Sequence, residues 1–196
     1  TLFWLTRNAE SSKIMGMDMV FVYLVENYYM RGDAYWLDNE ALEKYYDAAA
    51  KKTPNLIGRL GAEIVMQDTS GKEQRLYDTK AKYTLLVFWD PTCGHCTQEV
   101  PRIDSVYKAE LKTKGVKIIG IRTEGPVDKW KELIKNDNLS EWKHWYDPEH
   151  HSDYRAKYDV YSTPILYLLD EKKVIIGKRL DHTNIMAVIE MTEKKL

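Results

Sequence analysis

The 196-residue sequence has only two cysteines, Cys93 and Cys96, and no others from which to build a disulfide framework. Such a framework needs more cysteines, spread to close larger loops, so a stapled scaffold is excluded. A structural zinc site is equally unsupported, because it needs two further Cys or His ligands, usually as a second close pair. His150 and His151 are adjacent, so their side chains diverge, and His144 and His182 stand alone; all four are expected at the surface. Long apolar runs are missing too. The longest, Met19 to Val25, lies between Asp18 and Glu26 and falls far below the roughly 20 residues that span a bilayer. No secretory leader pattern is visible. The chain opens at Thr1 rather than Met, as a processed or truncated form would, so that lack bears little on location. Nor is there an excess of either charge: 29 basic and 30 acidic residues leave a net charge of -1. No basic stripe suggests nucleic acid, and no acidic surface is implied as a partner. Internal repeats and low-complexity segments are absent.

What remains is a globular composition, 44% hydrophobic and 30% charged, long enough for one full core and a modest extra lobe. Residues 1 to about 56 read as helical. Val20, Tyr23, Leu24 and Tyr28 recur at the helical period, with Met19, Phe21 and Val22 widening the apolar face. After Arg31-Gly32-Asp33, Asp38 or Asn39 can cap a second helix striped by Leu42, Tyr45, Tyr46 and Ala49, which Thr53-Pro54 ends. These aromatics are expected to pack against the main domain rather than hold a ligand. From Leu56 the pattern changes. Ala62 to Met66 and Gln74 to Leu76 predict short strands, and Tyr83 to Trp89 predicts a buried central strand. A helix follows with Val100, Ile103, Val106, Tyr107 and Leu111 on one face. Then come a strand at Val116 to Ile121, a helix at Val127 to Asn136 and a short element at Lys143 to Tyr146. A helix near Asp153 to Tyr158, a hairpin of Ile165 to Leu169 with Val174 to Lys178, and a helix at Thr183 to Met191 complete the chain. Strands alternating with helices predict an α/β fold: a three-layer α/β/α sandwich with a mixed central sheet, in a domain of residues 57–196 behind a helical region of residues 1–56.

The two cysteines enclose Gly94 and His95 and sit where the central strand passes through Asp90-Pro91-Thr92 into a helix. Disulfide exchange needs an attacking thiolate and a second thiol near enough to resolve the mixed disulfide. The positive end of a helix favours the thiolate of its first cysteine, while the second lies one turn in. Cys93 is therefore the expected nucleophile and Cys96 the resolving thiol. A cationic His95 would stabilise the thiolate and make the couple more oxidising.

The run Phe88-Trp89-Asp90-Pro91-Thr92-Cys93-Gly94-His95-Cys96, the following Glu99-Val100-Pro101 and the later Ser162-Thr163-Pro164 resemble three blocks of the thioredoxin superfamily. Within it they resemble the TlpA/ResA-like thiol–disulfide oxidoreductases, an AhpC/TSA-like domain with a CGHC site, over roughly residues 57 to 180. The resemblance implies a cis Pro164 facing Cys93, with Thr163 offering backbone hydrogen bonds to an extended substrate. It implies that Glu99 trades a proton with Cys96 and that Trp89 occupies a family position near the site. It also implies protein thiols or disulfides as substrates, an upstream membrane thiol donor of electrons, no bound cofactor, and a periplasmic or cell-envelope location. Three features depart from the family. Val87 stands where thioredoxin proper has a buried Asp, Thr92 replaces a common Trp, and about seventy residues separate Cys93 from Pro164. That gap fits the extra β–α unit of TlpA-like domains. Two other functions are compatible with the sequence: a peroxiredoxin-like peroxidase, although the Pro-x-x-x-Thr-x-x-Cys pattern is missing, and a binding module with a redox-silent or metal-holding CxxC.

Overall fold

The computed structural model describes residues 1–194. Its sheet has seven strands in the order β2-β1-β5-β4-β3-β6-β7. They are β1 (Val65–Asp68), β2 (Glu73–Arg75), β3 (Tyr83–Trp89), β4 (Val116–Arg122), β5 (Lys143–Tyr146), β6 (Ile165–Leu169) and β7 (Ile175–Lys178). Strands β3, β4 and β5 run parallel, while β1, β2, β6 and β7 join antiparallel.

All seven residues of β3 are buried, which places it at the centre of the sheet. Alternation along β3 divides the core in two. Tyr83, Leu85, Val87 and Trp89 face a layer formed by Cys96, Val100, Ile103, Trp130, Ile185, Val188 and Ile189. These belong to α4 (Gly94–Ala109), α5 (Val127–Asn136) and α7 (Ile185–Glu193). Leu86 and Phe88 face the opposite layer, with Tyr154, Tyr158 and Tyr167. Phe88 stacks on Tyr154 at 5.5 Å between ring centroids. That second layer is thinner than a full helical one, because its helix α6 (Tyr154–Lys157) has a single turn. At about 1.5–3 kcal/mol for each large apolar side chain removed from water, this two-sided burial holds β3 in place at the edge of the site.

The remaining helices are α1 (Leu2–Ser11), α2 (Met17–Leu24), which continues as a π-helical turn over Val25–Tyr29, and α3 (Asn39–Lys52). Asp38 is the cap of α3, its carboxylate accepting from the Ala41 N–H at 2.8 Å. These helices form their own cluster around Phe21, Val22, Val25, Tyr29, Ala49 and Leu56. The expected apolar stripe is corrected here. Met19, Val20, Tyr23 and Tyr28 are exposed, and the buried face runs through Phe21, Val22, Leu24, Val25 and Tyr29. The run is apolar on nearly every side, so periodicity could not select the inward face; the π-helical turn then shifts its phase.

A buried lysine links this region to the sheet. Lys178 of β7 is 2% exposed; its ammonium pairs with Asp18 at 2.6 Å, also meets Asn55 Oδ1, and lies 5.7 Å from the Tyr167 ring centroid. Several strand and helix ends also differ from the pattern. The first strand begins at Val65 rather than Ala62, because the Ala62 carbonyl is taken by the Tyr158 hydroxyl at 2.6 Å instead of a neighbouring strand. The helix after the cysteines stops at Ala109, and Leu111–Lys114 forms a 3₁₀ turn.

Candidate active site

The two sulfurs sit where β3 hands the chain to α4. The Asp90 carboxylate accepts from both the backbone N–H and the hydroxyl of Thr92 at 2.7 Å, and its carbonyl accepts from the Cys93 N–H at 3.1 Å. This side-chain-stabilised turn puts Cys93 at the N-cap of α4. A neighbouring loop holds the turn from outside. Gly125 has φ +77, and a Cβ there would lie 2.7 Å from Asp90 Oδ1 and 2.9 Å from Pro91 Cγ. Only glycine meets both the backbone geometry and the close approach. Behind the turn, Trp89 is 1% exposed, with its carbonyl accepting from the Thr123 N–H at 2.9 Å. Its indole packs in the same apolar cluster as Cys96.

The two cysteines have opposite surroundings. Cys93 is half-buried and Cys96 fully buried, and both are free thiols. Burial raises the Cys93 thiol, but hydrogen bonds outweigh it and leave the group below the ordinary thiol range. They come from the backbone and side chain of Cys96, the Thr163 side chain and the His95 backbone. The Cys96 N–H points at Cys93 Sγ from 3.4 Å, as the free N–H groups at a helix start do. Cys96 goes the other way: burial pushes its thiol up to about 11. The two thiols are thus shifted in opposite directions, the half-buried one down and the buried one up. Gly94 and His95 between them are exposed.

Opposite Cys93 lies the loop before β6. The Thr163–Pro164 peptide bond is cis, and the Cys93 thiol donates to the Thr163 carbonyl at 3.5 Å. A cavity of about 310 Å³ beside this loop is lined by Tyr161, Ser162, Pro164, Arg179 and Leu180, among others.

The second sequence block, at Glu99, brings in a residue that sequence reasoning missed. Glu99 is 4% exposed. Its Oε1 accepts from the backbone N–H of His182 at 2.8 Å, and His182 Nδ1 lies 2.8 Å from Oε1 and 3.0 Å from Oε2. His182 was expected at the surface as an isolated residue; it belongs instead to a pair with Glu99. Nothing local marks it, because the contact spans 83 positions and depends on the segment between β7 and α7 meeting α4. His144 is also corrected from surface to core: it is 8% exposed, with Nε2 at 2.8 Å from the Leu139 carbonyl, and burial lowers its basicity. His150 and His151 are exposed. No group of three or more His, Cys, Asp or Glu among the described residues could hold a metal.

A mixed sheet whose central parallel strand delivers a dithiol to the start of a helix defines a thioredoxin-like protein. The profile of the AhpC/TSA family matches residues 57–178, and the chain belongs to that family. It is similar to the thiol-disulfide oxidoreductase ResA of Geobacillus thermodenitrificans, 31% identical over 91 residues that cover 45% of this chain and 52% of ResA. The chain spans about half the length of such curated ResA relatives. Among solved structures, a domain of a possible thiol-disulfide isomerase from Cytophaga hutchinsonii is 37% identical, with a TM-score of 0.67, covering 72% of this chain and 96% of that domain. A thioredoxin-like protein from Bacteroides caccae superposes over 93% of this chain and 65% of its own, with a TM-score of 0.77 at 21% identity, a likeness of fold. These relatives put the chain on the TlpA/ResA-like side of the thioredoxin superfamily.

Proposed function

We propose that the protein is a thiol–disulfide oxidoreductase that exchanges disulfides with protein substrates through Cys93 and Cys96. The observation that carries this reading is the asymmetry of the pair: a half-buried sulfur at the N-cap of α4 whose thiol lies below its ordinary range, and a fully buried partner three residues on whose thiol burial pushes up. The Cys93 thiolate attacks one sulfur of a substrate disulfide; that S–S bond breaks and the other substrate sulfur leaves as a thiolate, which takes up a proton. Cys96 then loses its proton and attacks Cys93 Sγ, expelling the second substrate sulfur. The protein is left with a Cys93–Cys96 disulfide and the substrate with two thiols, a two-electron transfer. The reverse sequence oxidises a substrate.

Glu99, one position round the helix from Cys96, serves as the acceptor of the Cys96 proton. Thr163 and Pro164 form the platform on which an extended substrate segment lies against Cys93. Gly94 and the exposed His95 tune the couple from the solvent side, and Trp89 does so from the core. No cofactor is needed for exchange; a reduced dithiol partner, such as a membrane thiol carrier in a periplasmic or envelope setting, would return the protein to its reduced form.

Trapping tests the assignment. Cys96→Ala accumulates a mixed disulfide through Cys93, whereas Cys93→Ala forms none and is inactive. Adducts that form only through Cys96 would reverse the roles. Insulin-disulfide reduction measured beside peroxide consumption and metal content separates this function from a peroxidase and from a metal-holding module.

A further inference from the structure

We propose that His182 is a positioning residue of the dithiol site, holding the Glu99 carboxylate in one orientation for proton exchange with Cys96. The proposal rests on the thiol–disulfide reading above and adds a residue to it.

A carboxylate buried like Glu99 is costly unless its oxygens are hydrogen-bonded. Both of them are engaged, and both by one residue: the His182 N–H reaches Oε1, while Nδ1 lies within 3.0 Å of each oxygen. A carboxylate only accepts, so the ring nitrogen facing it carries the proton. Donors from the backbone and side chain of the same residue remove the rotational freedom of the carboxylate. Glu99 stands three residues beyond Cys96 on α4, a spacing that puts their β-carbons about 5–6 Å apart. The charged and titratable neighbours are few. Asp181 adjoins His182, but its Oδ1 is taken by the Thr183 N–H at 2.8 Å and hydroxyl at 2.5 Å. Cys93 lies at the head of α4, and Arg102, one turn beyond Glu99, is exposed. His182 itself has a side chain 28% exposed, so its ring touches both the buried carboxylate and solvent.

The step that depends on this arrangement is resolution. The Cys96 S–H bond breaks and its proton passes to Glu99. The new thiolate bonds to Cys93 Sγ, and the bond from Cys93 to the substrate sulfur breaks, with that sulfur leaving as a thiolate. Burial holds the Cys96 thiol near 11, so at neutral pH this step needs an acceptor already in place.

The test uses Ellman's reagent on the reduced chain. Attack by Cys93 releases a first thionitrobenzoate, and resolution by Cys96 releases a second. His182→Phe is expected to slow the second release about tenfold while leaving the first within about twofold. His182→Asn, which keeps a side-chain N–H, is expected to recover to within about threefold of wild type. In a Glu99→Gln background, His182→Phe should add less than about twofold, because the histidine acts through that carboxylate. Should the phenylalanine variant not fold, His182→Ala carries the same expectation. The proposal is overturned if the second release keeps its wild-type rate, if both releases slow equally, or if the full effect persists without Glu99. A wild-type chain that gives no second release would instead sink the exchange reading itself.

Discussion

Replacing Cys96 by Ala removes a thiol that burial has pushed up to about 11, and the consequence is measurable as stability against pH. An ordinary cysteine in the unfolded chain titrates near about 8.5. The folded value is the higher one, so the folded state binds the Cys96 proton more tightly. Its contribution is complete below about pH 8.5 and is lost as pH rises toward 11. From these two values the reduced protein should lose about 2 kcal/mol by pH 10 through this one group, and about 3 kcal/mol in full. Cys93 works in the opposite sense. Its lowered thiol favours the folded state as pH climbs to the unfolded value, so the two effects occupy different windows. The assay is urea unfolding of the reduced wild type and of Cys96→Ala at pH 8 and pH 10. The wild type should show the alkaline loss and the variant should lack it. Limiting iodoacetamide at pH 7 on the same wild-type sample should place a single adduct on Cys93, located by peptide mass. Parallel alkaline losses in the two proteins, or labelling of Cys96 as fast as Cys93, would refute the asymmetry argued from the structure.

Gly125→Ala should destabilise the protein by about 2 kcal/mol, read as a lower urea midpoint, since its Cβ would meet Asp90 and Pro91 at a φ of +77. The same variant should blunt the reactivity of Cys93, because the Asp90 turn sets the N-cap of α4. Lys178→Met removes one partner of a buried pair and leaves Asp18, 15% exposed at its side chain, without its ammonium. A cost of about 3 kcal/mol is expected, with limited proteolysis cutting first among the helices before β1; cleavage elsewhere would assign Lys178 a different role.

Legibility followed the range of the forces involved. Tyr83–Trp89 was readable as the central strand because β-favouring residues fill it with no charged side chain. The hairpin of β6 and β7 was readable because Asp170 to Lys173 separates two apolar runs, and they pair antiparallel as expected. Capping by Asp38 is equally local. The inward face of α2 was not legible, since almost every side chain from Met19 to Val25 is apolar and only a partner surface can choose between faces.

The dithiol and its place between a buried strand and a helix are set by contiguous residues, so sequence alone determined them. Folding decided what lies far away along the chain: Thr163 facing Cys93, Gly125 against the Asp90 turn, and His182 on Glu99. A hydrogen bond acts over about 3 Å, and no pattern of neighbours along the chain encodes which remote groups the sheet order will bring within that reach.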